Sequence, residues 1–183
     1  MSKKALIAVA DGTEELEAIA IIDCLRRAGA DLTIASVQKM QITTARKVKI
    51  TADCLIGGCL GQVYDLIVLP GGMPGAENLR DSKELTEMLK QQKQSGRLYA
   101  AICASPAVVF EHYGLLADKK ATCFPLMADK LKNKQAINQC VVVDGNCITS
   151  QGPGTALEFS LKLVELLFGS EKKQQLAKAM LVK

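Results

Sequence analysis

The chain has 183 residues, with 23 Lys and Arg against 19 Asp and Glu and a formal net charge of +4. That length suits one domain, residues 1–183, with a full core. A content of 49% hydrophobic and 23% charged residues is that of an ordinary globular protein, which excludes disordered and fibrous classes.

The basic residues are scattered, as in Lys3-Lys4, Lys119-Lys120 and Lys172-Lys173, with no run interleaved with aromatics. Nucleic acid is therefore not expected as a primary partner. Ala5–Ala10, the longest apolar stretch near the start, is too short for a signal-peptide core or a membrane span, so no membrane association is expected. Seven cysteines at irregular spacings, without a C-x-x-C, argue against a disulfide framework and against a metal site. A reducing cytoplasm is the expected location. The single histidine, His112, limits any mechanism built on a Cys–His or Ser–His pair.

Ala5–Ala10 reads as the first strand and Asp11-Gly-Thr13 as the turn after it. From Glu14 to Ala28, Leu16, Ile19, Ile22 and Ala20 follow helical spacing, with Thr13 or Asp11 as cap and Gly29 as stop. Leu32–Val37 is a second strand, so the chain opens β-α-β with a right-handed parallel crossover. Gln41–Thr51 predicts a small strand pair around Arg46, and Cys54–Gly61 a loose helical turn. Tyr64–Leu69 is another buried strand, ending in Pro70-Gly71-Gly72. Asp81-Ser-Lys-Glu84 has the pattern of a capping box, opening a helix that runs through Ser95 to Gly96. Leu98–Ile102, short and continuously apolar, suits a strand buried on both faces.

Pro106 fits the first turn of a helix reaching Tyr113. Ala121–Phe124 predicts a strand. Val141–Val143 and Cys147–Thr149 flank Asp144-Gly-Asn146 as a hairpin. Thr155 with Glu158 reads as a second capping box, before a broadly apolar helix over Ala156–Phe168 whose breadth suggests burial, with a second subunit as one candidate for the covering surface. A last helix covers Glu171–Met180. The alternation gives one α/β domain with a mainly parallel sheet.

Ligands bind such sheets outside the carboxyl ends of the strands. Asp11–Glu17, Gly71-Gly72 and Cys103 all fall there. Cys103 stands at a strand-to-helix turn, where a thiol most readily ionises. An ordinary thiol is only about 3% thiolate at pH 7; a pKa of roughly 5.5 would need about 4 kcal/mol of differential stabilisation. A helix start supplies at most about 2 kcal/mol, so a further donor is required. The alternative is a Cys103 that is simply a small buried hydrophobe. Glu14, Glu15 and Glu17 are each first-turn acids favoured by the dipole. Glu17 lies one turn deeper than Glu14, where a buried, protonated carboxyl would donate a hydrogen bond to the sulfur. Gly71 and Gly72 either present N–H groups to an oxyanion or form a tight turn. His112 is too far along to reach Cys103, and Cys24 and the remaining cysteines read as packing residues.

Gly12-Thr-Glu-Glu-Leu-Glu17, Leu69-Pro-Gly-Gly72, Ala100-Ala-Ile-Cys-Ala-Ser-Pro106 and Thr149-Ser-Gln-Gly-Pro-Gly-Thr155 together resemble the ThiJ/PfpI superfamily, and within it the deglycase and bacterial ThiJ-like branch. The resemblance implies a flavodoxin-like three-layer sandwich, a homodimer, and Cys103 as the nucleophile on an elbow, with Glu17 as the protonated acid beside it. It implies Gly72 and Ala104 as backbone donors of an oxyanion site, Arg46 as a residue reaching the pocket near the dimer interface, and Gly152 and Pro153 as pocket lining. No cofactor is implied. The implied activity is cysteine-dependent deglycation of protein or nucleotide amines, or conversion of methylglyoxal or glyoxal to hydroxy acids. Relatives are also known as chaperones and oxidative-stress sensors whose cysteine becomes a sulfinate. Ala104 stands where protease-like branches carry a histidine, and Phe124 where some deglycase relatives carry one, which argues against a peptidase.

Overall fold

In the computed structural model, which describes residues 2–182, the elements follow in the order β1 (Lys4–Val9), α1 (Glu15–Ala28), β2 (Asp31–Ser36), β3 (Gln41–Thr43), β4 (Lys49–Thr51), β5 (Cys54–Leu55) and β6 (Leu66–Leu69). They continue with α2 (Gly75–Arg80), α3 (Lys83–Gln94), β7 (Leu98–Ile102), β8 (Val141–Asp144), β9 (Cys147–Ser150), α4 (Ala156–Phe168) and α5 (Ser170–Ala179). Seven strands form one sheet in the order β5-β2-β1-β6-β7-β9-β8. All its pairings are parallel except β8 with β9. β3 and β4 make a separate antiparallel pair.

The sheet is buried on both faces, which is why β1, β6 and β7 read as continuous apolar runs. Ala5, Ile7 and Val9 of β1 pack toward α1, α4 and α5. Leu6 and Ala8 pack toward α3 and the segment after Pro106. Three layers result, as expected of a flavodoxin-like fold. Phe159 and Leu163 of α4 are fully buried, and side chains of this size contribute about 1.5–3 kcal/mol each by leaving water. The chain winds outward from β1 to β2 and β5, then returns to build β6, β7 and β9 on the other side. This reversal opens a crevice at the carboxyl ends of β1 and β6.

Several local expectations are corrected. The cap of α1 is Glu14, whose carboxylate accepts from Glu17 N at 2.8 Å. Thr13 and Asp11 are occupied elsewhere: Thr13 Oγ1 accepts from Ala10 N, and Asp11 accepts from Thr43 N and pairs with Lys39. The buried face of α1 is Glu17, Ala18, Ile21, Ile22, Cys24, Leu25 and Ala28, which includes the expected Ile22, whereas Leu16 and Ile19 are 54% and 49% exposed. α1 carries two apolar stripes, and the sheet takes the one that contains Glu17. Ser82, not Asp81, caps α3 by accepting from Leu85 N. Thr155 makes no side-chain cap on α4, because its hydroxyl bonds Ser150 and Gly152.

Ala121–Phe124 is not a strand. Its Thr122 N–H donates to the Thr149 side chain, and Phe124 N–H donates to Cys103 O. Pro106–Phe110 is one wide π-helical turn, closed by Glu111 N–H to Pro106 O, and irregular turns follow it. Cys54–Gly61 does hold a tight helical turn, Ile56–Cys59, preceded by the short edge strand β5. Helix α2 and the turn Pro125–Lys130 carry no helical apolar repeat long enough to read in advance. Cys24, Cys59, Cys123 and Cys147 are buried packing residues, but Cys54 is half-buried and Cys140 exposed.

Candidate active site

β7 delivers Cys103 to the carboxyl end of the sheet with φ 64°. A side chain in that left-handed region costs about 1–2 kcal/mol, so the surroundings must enforce the bend. Cys103 N–H donates to Ser150 O at 3.0 Å, and Cys103 O accepts from Phe124 N at 2.7 Å. Two residues further on, the buried Ser105 hydroxyl donates to Pro70 O at 2.6 Å. β6, β9 and the 121–124 segment thus fix the elbow from three sides.

Glu17 enters from α1 and is fully buried. Its Oε2 accepts from Gly71 N at 2.7 Å, while Oε1 has no hydrogen-bond partner. Gly71 must be glycine for steric reasons. An added Cβ would lie 2.6 Å from Cys103 Cβ, 2.9 Å from Ala104 N and 3.0 Å from Glu17 Oε2. Gly72, at φ 89°, would meet Glu14 N and Gly12 O with any side chain it carried. The Gly71 N–H is therefore committed to the carboxyl, and the backbone N–H groups of Gly72 and Ala104 are the neighbours that favour an ionised Cys103 sulfur.

Burial is the largest influence on both titratable groups. It raises Glu17 to about 7, against the Gly71 bond and the contact with Cys103, which lower it; Glu14 adds to the rise. Burial also pushes the Cys103 thiol up to about 12, assisted by the charge of Glu17 and the hydrogen bond to it. Only the Gly72 and Ala104 N–H groups oppose this. Position on the elbow alone therefore does not lower the thiol while Glu17 is ionised, in line with the need for a further donor. Protonating Glu17 removes its charge and supplies a donor, so the two groups titrate as one pair.

The remaining predicted residues frame this pair unequally. A Cβ on Gly152 would stand 3.6 Å from Phe124 Cδ2 and 3.9 Å from Cys103 Sγ, so Gly152 leaves open space beside the sulfur. Pro153 follows it in a half-buried turn. Phe124, not among the expected site residues, forms a wall there; its signal was the Phe124-Pro125 pair. Arg46 sits exposed on the turn between β3 and β4, where its backbone N–H donates to Glu15 Oε2 at 3.1 Å. His112 is exposed and edge-on to Tyr113, as its position suggested. A cleft of about 280 Å³ between Asp11, Gly12, Thr44, Ala45, Met73 and Pro74 is not lined by Cys103, Glu17, Gly71 or Gly72. The larger depression, about 530 Å³ around Glu111 and Lys132, includes none of these site residues. No cluster of three or more metal-ligating side chains occurs among the described residues.

A buried carboxyl thus stands beside a cysteine on a left-handed strand-to-helix bend in a flavodoxin-like sheet. The model of the DJ-1/PfpI family matches residues 3–166, and the chain belongs to that family. It is 53% identical to protein DJ-1 homolog B of Arabidopsis thaliana over 97% of the chain, but spans only 41% of that relative's length. It is 37% identical to the glutathione-independent glyoxalase DJR-1.2 of Caenorhabditis elegans, covering 96% of this chain and 95% of that one. The solved structure of oxidised Toxoplasma gondii DJ-1 superposes with a TM-score of 0.96 at 45% identity, covering 98% of both chains.

Proposed function

We propose that this chain is a cofactor-independent, cysteine-dependent enzyme of carbonyl and oxidative stress defence, working as one domain in the cytoplasm. Its substrates on this reading are methylglyoxal, glyoxal and their early adducts with protein or nucleotide amines, so it is a glyoxalase or deglycase and not a peptidase. The observation that carries the reading is the Cys103–Glu17 pair, with Gly72 and Ala104 N–H groups favouring an ionised sulfur. The glyoxalase name of the Caenorhabditis elegans relative supports it.

With methylglyoxal, Glu17 takes the thiol proton and the sulfur adds to the aldehyde carbon. The new alkoxide is protonated to a hemithioacetal. Glu17 then moves a proton from the former aldehyde carbon toward the ketone carbon through an enediol. Water cleaves the resulting thioester, releasing lactate and restoring the thiol. Gly72 and Ala104 supply the backbone N–H donors for the charge that develops on the substrate oxygen on this reading, and such donors are worth about 3–4 kcal/mol. A carboxyl near 7 is matched to moving protons in both directions at neutral pH.

Cys103→Ser tests the reading: it is expected to form no lactate from methylglyoxal, and native rates in that variant would refute it. Lactate must be measured, because glyoxals add reversibly to any thiol or amine.

A second reading, a redox-sensing chaperone with Cys103 oxidised to sulfinate, is favoured by the oxidised state of the Toxoplasma structure. Under mild peroxide it requires Cys103 to oxidise before the other cysteines. We further propose a homodimer, since Leu16 and Ile19 leave an apolar stripe on the outer face of α1. Arg46, tied to the first turn of α1 through Glu15, stands beside that face.

A further inference from the structure

Cys54 and Cys59 are separated by four residues in sequence and by 3.5 Å between their sulfurs. Cys54 starts the edge strand β5, and Cys59 ends the tight turn Ile56–Cys59. Both are free thiols, Cys54 half-buried and Cys59 buried. The turn between them contains Gly57 and Gly58, and a Cβ added to either would meet nothing within 4 Å. The Gly57-Gly58 side of the turn therefore faces open space, while Ile56 and Cys59 seat its other side in the core. A disulfide needs its sulfurs at about 2.05 Å, a closure of roughly 1.5 Å from the observed separation. Small rotations of two cysteine side chains supply it.

We propose that Cys54 and Cys59 are a second redox site, separate from Cys103, which low-molecular-weight disulfides convert reversibly to an intramolecular disulfide. Cys54 is the entry point because it alone of the two is reachable from solvent. Its sulfur attacks one sulfur of the small disulfide, forming a mixed disulfide and releasing one thiolate, which takes up the proton that Cys54 loses. Cys59 then attacks the Cys54 sulfur, breaks the mixed disulfide and releases the second thiolate, which is protonated in turn. Two electrons and two protons pass from the protein to the small disulfide, which leaves as two thiols. Burial and the neighbouring Cys59 hold the Cys54 thiol up at about 11. The pair is therefore a slow exchange site that follows the thiol–disulfide balance, since attack needs the thiolate.

Tryptic fragment Ile50–Arg80 contains Cys54 and Cys59 and no other cysteine, so its mass reports the pair alone. The full chain is incubated with oxidised glutathione in mildly alkaline buffer, alkylated under denaturing conditions and digested. The expected fragment is lighter than the reduced one by two hydrogens and takes up no alkyl group. Dithiothreitol restores two alkylations. Cys59→Ser is expected to trap glutathione on Cys54, and Cys54→Ser to leave Cys59 free and alkylated. Full double alkylation of the native fragment after oxidation overturns the proposal, as does a stable mixed disulfide or a link to another fragment. The native fragment decides the question even if a variant fails to fold.

Discussion

Cys103 and Glu17 gain their chemistry from each other and from the backbone around them. Glu17 is buried, with one carboxyl oxygen on Gly71 N–H and the other unpartnered, and that environment favours its protonated form. Its folded pKa, about 7, lies above its ordinary value of 4.5, so the folded state binds the extra proton between those limits. Stability from this group is complete below about 4.5 and is lost as pH rises through about 7. Glu17→Gln should be free of that loss. Urea unfolding at intervals from pH 4 to pH 8 is expected to show the variant gaining on the native protein by about 3 kcal/mol across the range. A constant difference would show that Glu17 is ionised throughout. Gly71→Ala is a steric test of the same pair. Its methyl group would overlap Cys103 and Glu17, and overpacking of this kind costs about 1–3 kcal/mol. Thermal unfolding should fall accordingly, and alkylation of Cys103 should change more than that of exposed Cys140.

At the scale of elements, the strands and the elbow were the legible part. The central parallel strands β1, β6 and β7 are short apolar runs, and Gly29 closes α1 at φ 95° as its place in sequence indicated. The outward face of α1 was not legible. Leu16 and Ile19 satisfy helical spacing as well as Ile21 and Leu25 do, and only the sheet decides which stripe is buried. Capping was misplaced for a related reason: Thr13, Asp11 and Thr155 are good caps by type, but other hydrogen bonds claim their side chains, within the preceding turns for Thr13 and Thr155 and from distant Thr43 for Asp11. The 121–124 segment is extended yet pairs through a side chain and the Cys103 carbonyl, contacts that local pattern does not encode. The exposed stripe of α1 yields a prediction of its own. Leu16→Arg with Ile19→Arg should convert a dimer to a monomer in sedimentation with little change in the monomer's fold. A native protein already monomeric at micromolar concentration would remove the dimer from the account.

For the molecule as a whole, the sheet's reversal at β1 and β6 brings residues 17, 71–72 and 103 into one crevice, although the chain spaces them widely. Cys103 and Glu17 were readable as candidates because they fall at strand ends. Their mutual control was not, since it depends on burial and on which N–H groups the turns present. On the proposed function, Cys103 and Glu17 work as one proton-sharing unit. It is tested most directly by the pH dependence of kcat/KM for lactate formation from methylglyoxal, without glutathione, in the native protein and in Glu17→Gln. The native profile is expected to show an ionisation near 7, and the variant to lose it together with at least about 100-fold in rate. A Glu17→Gln protein with the native rate and the native profile would contradict the claim.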